Sequence, residues 1–203
     1  MPTSQWYQIS RIISLLKIIN PRSILDIGPG FGKYGFLARE YLEIFGGESY
    51  NFRRKIDCIE ACAQYITPCH KFIYTNIYIG DANKIIDKLN TTYDLSLLID
   101  VLEHFDKEEG AKLLSKLSRK SHYILISTPK RFLEQHAVFG NPYEVHKSHW
   151  TKKELAKVLV TTSQHGFISL QDTVSLIFLW GERSGIRAIK RKIKKDLVKE
   201  SIM

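Results

Sequence analysis

The chain is 203 residues long, 44% hydrophobic and 25% charged, with a formal charge of +9 and three cysteines. That length and apolar share suit one globular domain with a sizeable core and exclude wholesale disorder. The longest apolar stretch, VSLIFLW at 174–180, is far shorter than the ~20 residues of a membrane-spanning helix; no signal-peptide pattern opens the sequence and an odd cysteine count makes no disulfide framework, so a cytoplasmic location is expected.

In chain order, SQWYQISRIISLLKIIN repeats apolar residues at Trp6, Ile9, Ile12, Ile13, Leu16 and Ile19, which predicts an N-terminal helix. SILDI, ended by Gly28, predicts a short strand buried on both faces. A helix is expected from about Tyr34 to Phe45, where GGES breaks it. Six further strands are predicted at KIDCIE, NIYIGD, YDLSLLID, SHYILIST, GFISLQD and TVSLIFLW. Helical segments fit near 61–71, 82–89, 106–119 and 152–165, the last opened by a capping box of Thr151 and Glu154. No repeat, low-complexity run or flexible linker divides the chain. Alternating strands and helices predict an α/β, doubly wound, mostly parallel sheet of seven strands with helices on both faces and a ligand at the carboxyl ends of the strands.

The charge is unevenly placed. Residues 186–203 hold seven basic residues against Asp196 and Glu200, so this tail carries +5 and residues 1–185 only +4. Within it Ile186, Ile189, Ile193 and Leu197 recur at helical spacing, which predicts a basic amphipathic helix appended to a domain of residues 1–185. Such a helix either docks by its apolar stripe or contacts an anionic partner, with a lipid surface, nucleic acid or another acidic partner as the alternatives.

The stretch ILDIGPGFGKYG, 24–35, carries the clearest chemical signal. Gly28 and Gly30 let the backbone turn tightly against a ligand, and the following helix offers free N–H groups. Its spacing fails the dinucleotide fingerprint G-x-G-x-x-G, because Lys33 stands where the third glycine belongs, and fails the phosphate-binding G-x-x-x-x-G-K-[ST], because Tyr34 follows that lysine. Asp26, at the strand end, suits a cation better than a pyrophosphate.

LDIGPGFG resembles the first motif of the class I S-adenosylmethionine-dependent methyltransferases, and the similarity runs through residues 23–181. The resemblance implies that Asp26 organises the methionine end of S-adenosylmethionine, with Gly28, Gly30 and Gly32 lying against it. It further implies that Glu60 of CIE holds the ribose hydroxyls, that Asp81 and Ala82 of IYIGDA meet the adenine, and that Asp100 of LLIDVLEHF closes the site at the fourth strand end. A carboxylate accepts both hydrogen bonds of a vicinal diol, which gives Glu60 a chemical reason to be there. Singly, these glycines shape turns and these acids cap helices; four acids at successive strand ends have no such common explanation. Trp6 and Tyr7 either cover the cofactor or pack an N-terminal helix into the core.

Neither the Asn-Pro-Pro-Tyr element of amine methylation nor the Pro-Cys nucleophile of cytosine methylation stands at the fourth-strand end, which reads DVLEH. Instead, TPKRFLEQHAVFGNPYEVHKSHW follows the fifth strand, a connection longer than the ~12 to 15 residues of an ordinary loop, and is expected to cover the acceptor. Its Gln135, His136, Tyr143, Glu144, His146, His149 and Trp150 suit sugars, nucleotides or other polyols. DVLEHF, STP and HKSHWT are also similar to the small-RNA 3′-terminal 2′-O-methyltransferases. That similarity implies a divalent metal on Asp100, Glu103, His104 and His146, provided that a helix starts at Asp100 and brings the first three to one face.

The expected activity is in-line methyl transfer to an oxygen of a sugar or small metabolite, with His104, His146 or Asp100 as base. Metal-assisted RNA methylation and a cofactor-binding scaffold without turnover are the alternatives. Cys58, Cys62, Cys69 and His70 lack the paired spacing of structural zinc and are expected to be core cysteines beside an incidental histidine.

Overall fold

The computed structural model describes residues 3–45, 47, 50–171 and 173–200. Its seven strands are β1 Ser23–Ile27, β2 Lys55–Glu60, β3 Asn76–Ile79, β4 Tyr93–Ile99, β5 Ser121–Pro129, β6 His165–Gln171 and β7 Ser175–Glu182. All seven fall on the predicted segments. They form one sheet in the order β3-β2-β1-β4-β5-β7-β6. The first five run parallel, β7 is inserted antiparallel between β5 and β6, and the order reverses between β1 and β4. An α/β sheet of this kind opens a crevice at that reversal, outside the carboxyl ends of its strands.

Seven helices cover the sheet: α1 Ile9–Ile19, α2 Lys33–Arg39, α3 Pro68–Ile73, α4 Ala82–Lys88, α5 Lys107–Lys120, α6 Lys152–Leu159 and α7 Arg183–Glu200. Strand residues alternate between two cores. Leu25, Ile27, Ile59 and Leu98 pack on one face against Ile86, Leu113, Leu117 and Leu155 of α4 to α6. Ile24, Ile56, Leu95 and Leu97 pack on the other against Ile12, Leu16, Ala38, Ile73 and Ile186 of α1 to α3 and α7. Each fully buried leucine or isoleucine stabilises the fold by about 1.5–3 kcal/mol.

Several expected boundaries shift for visible reasons. The helix expected to reach Phe45 leaves α geometry at Arg39 and continues as a π-helical turn over Glu40–Ile44. There Arg39 is buried and holds Glu43 at 2.8 Å and the Ile73 carbonyl at 2.9 Å. The expected helix at 61–71 is instead a 3-10 turn, Ala63–Tyr65, followed by α3, whose N-cap Thr67 pairs reciprocally with His70. The Thr151–Glu154 capping box is present, but α6 stops at Leu159, short of the expected 165. Val160, Thr161 and Thr162 are β-branched and weak helix formers, and β6 claims the chain from His165.

Trp6 and Tyr7 stack on each other at 4.0 Å but stay out of the core, Trp6 being 67% exposed. Of the cysteines expected in the core only Cys58 is there; Cys62 is half-buried and Cys69 exposed, because α3 turns Cys69 outward. The basic helix begins at Arg183, three residues before the expected start, with Ile186 and Ile189 buried and Ile193 against the core. Leu197 and residues 201–203 of that expectation lie outside the described side chains. Among the described residues no helix is long and apolar enough to cross a membrane.

Candidate active site

The crevice at the carboxyl ends of β1, β2 and β4 holds a cavity of about 370 Å³. Asp26, Gly28, Gly30, Glu60, Asp81, Ala82 and Asp100 all line it, so seven of the eight residues predicted to hold a cofactor meet at one place. Gly32 does not. It caps α2 at φ +87°, and a Cβ there would meet Ile73 at 3.3 Å.

The floor is the loop after β1. Gly28 adopts φ +63°, where a side chain is strained, and a Cβ would sit 2.8 Å from Val101. Its N–H donates to the Ile59 carbonyl at 2.9 Å, which ties the loop to β2. His70 fixes the next turn. Its Nδ1 accepts the Thr67 N–H at 3.1 Å, so Nε2 carries the proton and donates to the Gly30 carbonyl at 2.8 Å. The histidine expected to be incidental therefore shapes the ligand loop, and only tertiary structure, 40 residues apart in sequence, reveals it.

Around this floor stand three acids, of which Asp26 and Glu60 are buried and Asp81 is exposed. Burial pushes the Asp26 carboxyl up to about 7, the Tyr74 hydroxyl opposing by donating to Oδ2 at 2.7 Å and Glu60 adding repulsion. Glu60 is raised too, by burial first, against the Cys62 N–H that donates to Oε1 at 2.8 Å. Asp81 lines the cavity and also accepts the Asn83 N–H at 2.8 Å as N-cap of α4.

Asp100 departs from the expected geometry. It has φ +54°, which an aspartate tolerates better than most residues, and the chain leaves it as a 3-10 turn, Leu102–His104, with α5 starting only at Lys107. The helix that was to carry Asp100 and Glu103 on one face is absent. Asp100 accepts from Ser127 Oγ at 2.7 Å, from Gln8 Nε2 at 2.7 Å and from the Gln5 N–H at 3.3 Å. It thus clasps the N-terminal segment over the cavity, and Lys33 assists by donating to the Ser4 carbonyl at 2.6 Å.

Glu103, His104 and His146 do come together, with ligand atoms all within 4.8 Å of one another. Asp100 is not part of that group. His104 faces the cavity, and its Nδ1 lies 3.2 Å from the Val145 carbonyl. His146 packs edge-on against it at 4.9 Å, with Nδ1 2.6 Å from the Leu133 carbonyl. A carbonyl only accepts, so both rings carry their proton on Nδ1 and keep the Nε2 lone pair free. Burial, reinforced by His146, lowers the basicity of His104. Glu103 is fully buried and raised well above the usual carboxylate range, burial first and Asp100 second; its own carbonyl accepts the N–H groups of Lys147 and Ser148.

The long connection after β5 splits into two roles. Tyr143 and Glu144 line the cavity together with Asn141 and Lys147. The other expected contacts hold the loop itself: Gln135 donates to the Glu144 carbonyl at 2.7 Å, His149 Nε2 lies 2.9 Å from the Lys130 carbonyl, and Trp150 is 2% exposed within the core. His136 is exposed and lies 3.7 Å from Glu134. Ser4, Lys33, Tyr65, Asn83, Asn141 and Lys147 line the cavity without having been singled out in the sequence. Lys33 and Lys147 stand inside the ILDIGPGFGKYG and HKSHWT stretches, while Ser4, Tyr65, Asn83 and Asn141 belong to no spaced motif.

Comparison with solved structures gives the fold its place. An O-methyltransferase family protein from Burkholderia thailandensis superposes with a TM-score of 0.61 at 11% identity, over 86% of this chain and 55% of that one. The fold is that of the class I S-adenosylmethionine-dependent methyltransferases. This chain spans about half the length of the Burkholderia protein. The methyltransferase domain of bacterial CtHen1-C matches with a TM-score of 0.58 at 15% identity, over 87% and 97% of the two chains. The N-terminal domain of EvdMO1, solved in the presence of SAH and D-fucose, matches with 0.58 at 16% identity, over 89% and 84%. Neither a family model nor a curated protein sequence matches the chain.

Proposed function

We propose that the chain binds S-adenosylmethionine in this cavity and transfers its methyl group to a hydroxyl oxygen of a sugar or other small polar metabolite. The observation that carries the reading is the convergence of Asp26, Gly28, Gly30, Glu60, Asp81, Ala82 and Asp100 on one cavity at the strand-order reversal. The donor set fits the cofactor. Buried carboxylates at Asp26 and Glu60 suit an ammonium and a ribose diol, and the loop at Gly28 leaves no room for a Cβ. When bound, S-adenosylmethionine supplies an electrophilic methyl on a sulfonium.

The protein's own residues supply position and proton management. Asp100 holds the N-terminal segment across the cavity through Gln5 and Gln8, which limits water access. His104 lines the cavity with Nδ1 engaged by the Val145 carbonyl, which leaves Nε2 to accept the acceptor's hydroxyl proton. Tyr143, Asn141 and Lys147 surround the acceptor side with hydrogen-bonding groups. EvdMO1, whose N-terminal domain was solved in the presence of D-fucose, lends the sugar reading support by analogy of fold.

One observation favours a second reading, metal-assisted 2′-O-methylation of RNA 3′ ends. Glu103, His104 and His146 offer one carboxylate oxygen and two imidazole nitrogens to a single point, with each imidazole oriented by a backbone carbonyl as metal-bound histidines are. Assay of labelled methyl transfer to glycans, cell metabolites and small RNA, with and without chelator, separates the two. Activity on sugars or metabolites that survives exhaustive chelation supports the first reading; activity on RNA that chelation abolishes and Mn²⁺ restores replaces it with the second. Cofactor binding without any methylated product leaves a scaffold.

A further inference from the structure

We propose that the free edge of β6 is a docking site for an extended acidic peptide segment of a partner protein, which pairs with β6 as an eighth strand. The site shares no lining residue with the cavity described above and stands independently of the proposed activity.

β6 lies at the margin of the sheet, paired on one side only, with β7. The register is continuous from His165↔Glu182 to Gln171↔Leu176. The Arg183 N–H donates to the Gln164 carbonyl at 2.8 Å, which fixes the phase of the ladder. Hydrogen-bonded pairs then recur at Gly166, Ile168 and Leu170, while His165, Phe167 and Ser169 turn their N–H and carbonyl groups away from β7. The Arg183 guanidinium occupies the His165 carbonyl, at 3.3 and 3.4 Å. Among the described residues no strand pairs with the outward groups of Phe167 and Ser169. An unpaired edge of this kind is a template for another chain.

The edge is recessed. Residues at the two ends of α6 and along α7 flank it, making a groove of about 530 Å³ with half-buried Phe167 and Val160 as its apolar surface and Ile168 and Ile186 buried at its base. Four cations line that groove, Lys152, Arg183, Arg187 and Lys190, and no carboxylate does. Lys152 sits 5.6 Å over the Phe167 ring. Other lysines of the protein do find carboxylates, as Lys107 finds Glu154 at 2.6 Å and Lys116 finds Asp87 at 2.5 Å. No ion pair engages the groove cations among the described residues.

Charge and shape select the occupant together. A second copy of this chain would bring the same cations against themselves, so edge-to-edge self-pairing is disfavoured. A bilayer or a phosphate backbone answers the charge but leaves the outward N–H and carbonyl groups of a recessed strand without partners in register. The apolar stripe of α7 is moreover spent on the core through Ile186 and Ile189. An extended peptide with alternating carboxylates answers both features.

The test uses the whole chain with acetylated peptides matching the seven residues of β6, alternating Glu with Val or Thr. Calorimetry measures binding, and amide hydrogen exchange reads Phe167 and Ser169. The proposal expects binding that slows exchange at both amides about tenfold or more. N-methylation of alternate peptide nitrogens, or Arg187→Glu with Lys190→Glu, is expected to weaken binding about tenfold or more. The modified peptides act on the unaltered protein, so a variant that fails to fold does not remove the test. Binding that survives N-methylation overturns the proposal. So does oligoadenylate or phosphatidylserine vesicle binding with the same dependence on Arg187 and Lys190 and no amide protection, as does absence of peptide binding at millimolar concentration.

Discussion

The two halves of the cavity are built differently. On one side Asp26, Gly28, Glu60 and Asp81 sit at the ends of β1, β2 and β3, where each residue's direction follows from the strand before it. On the other, the connection from Lys130 to Trp150 contains no α-helix or strand, and its residues divide between lining the cavity and holding the loop. A strand end needs only a short local pattern to aim its side chain. A long loop is aimed by partners that its own sequence does not name.

The contrast is open to attack from the loop side first. If Trp150 is core rather than acceptor contact, Trp150→Ala lowers unfolding stability in urea by about 3–5 kcal/mol. Gly110 confirms how closely the indole is packed, since a Cβ there would lie 2.7 Å from it. Unchanged stability with lost turnover would move Trp150 into the acceptor site and erase the distinction.

The cofactor half is sharpened by pH. Asp26 has its carboxyl raised from 3.8 to about 7 by burial, so the folded state holds a proton that the unfolded chain releases. Its stabilisation is complete below the ordinary carboxylate range and is lost as pH rises through about 7, by up to about 4 kcal/mol at about 1.4 kcal/mol per unit. Glu60, Asp100 and Glu103 shift the same way, so wild type shares the slope among them. Asp26→Asn is expected to flatten it and to exceed wild type in stability at pH 8, by chemical denaturation across pH. An unaltered slope would show that Asp26 is already ionised in the empty cavity.

Smaller effects follow. Glu60→Ala is expected to weaken S-adenosylmethionine binding by about 1.5–3 kcal/mol, the range for a hydrogen bond to a charged group. Thr151→Ala removes the capping box where the loop ends and costs about 1 kcal/mol in urea unfolding, without altering cofactor affinity. An effect on cofactor affinity would couple the two halves.

The same contrast explains what the sequence revealed. The seven strands were legible because SILDI, YDLSLLI and their companions are apolar runs bounded by turn residues, and the order of their terminal acids marked the strand-end half of the cavity. The turn after β4 was not, since a helix starting at Asp100 is locally reasonable. What prevents it is a left-handed Asp100 held by Gln5, Gln8 and Ser127, contacts between residues 27 to 95 positions apart. Correspondingly, Glu103, His104 and His146 lie together, while Asp100, expected beside them, points elsewhere and is absent from that group. His70 was passed over for the same reason, because its tie to Gly30 exists only after α3 packs beside the loop.

Titration calorimetry with S-adenosylmethionine, run on wild type and on Asp26→Ala and Glu60→Ala, tests the central claim most directly. One-to-one binding to wild type, weakened in both variants while NAD binds to none of the three, is the predicted result. Tight NAD binding with no S-adenosylmethionine binding would contradict it.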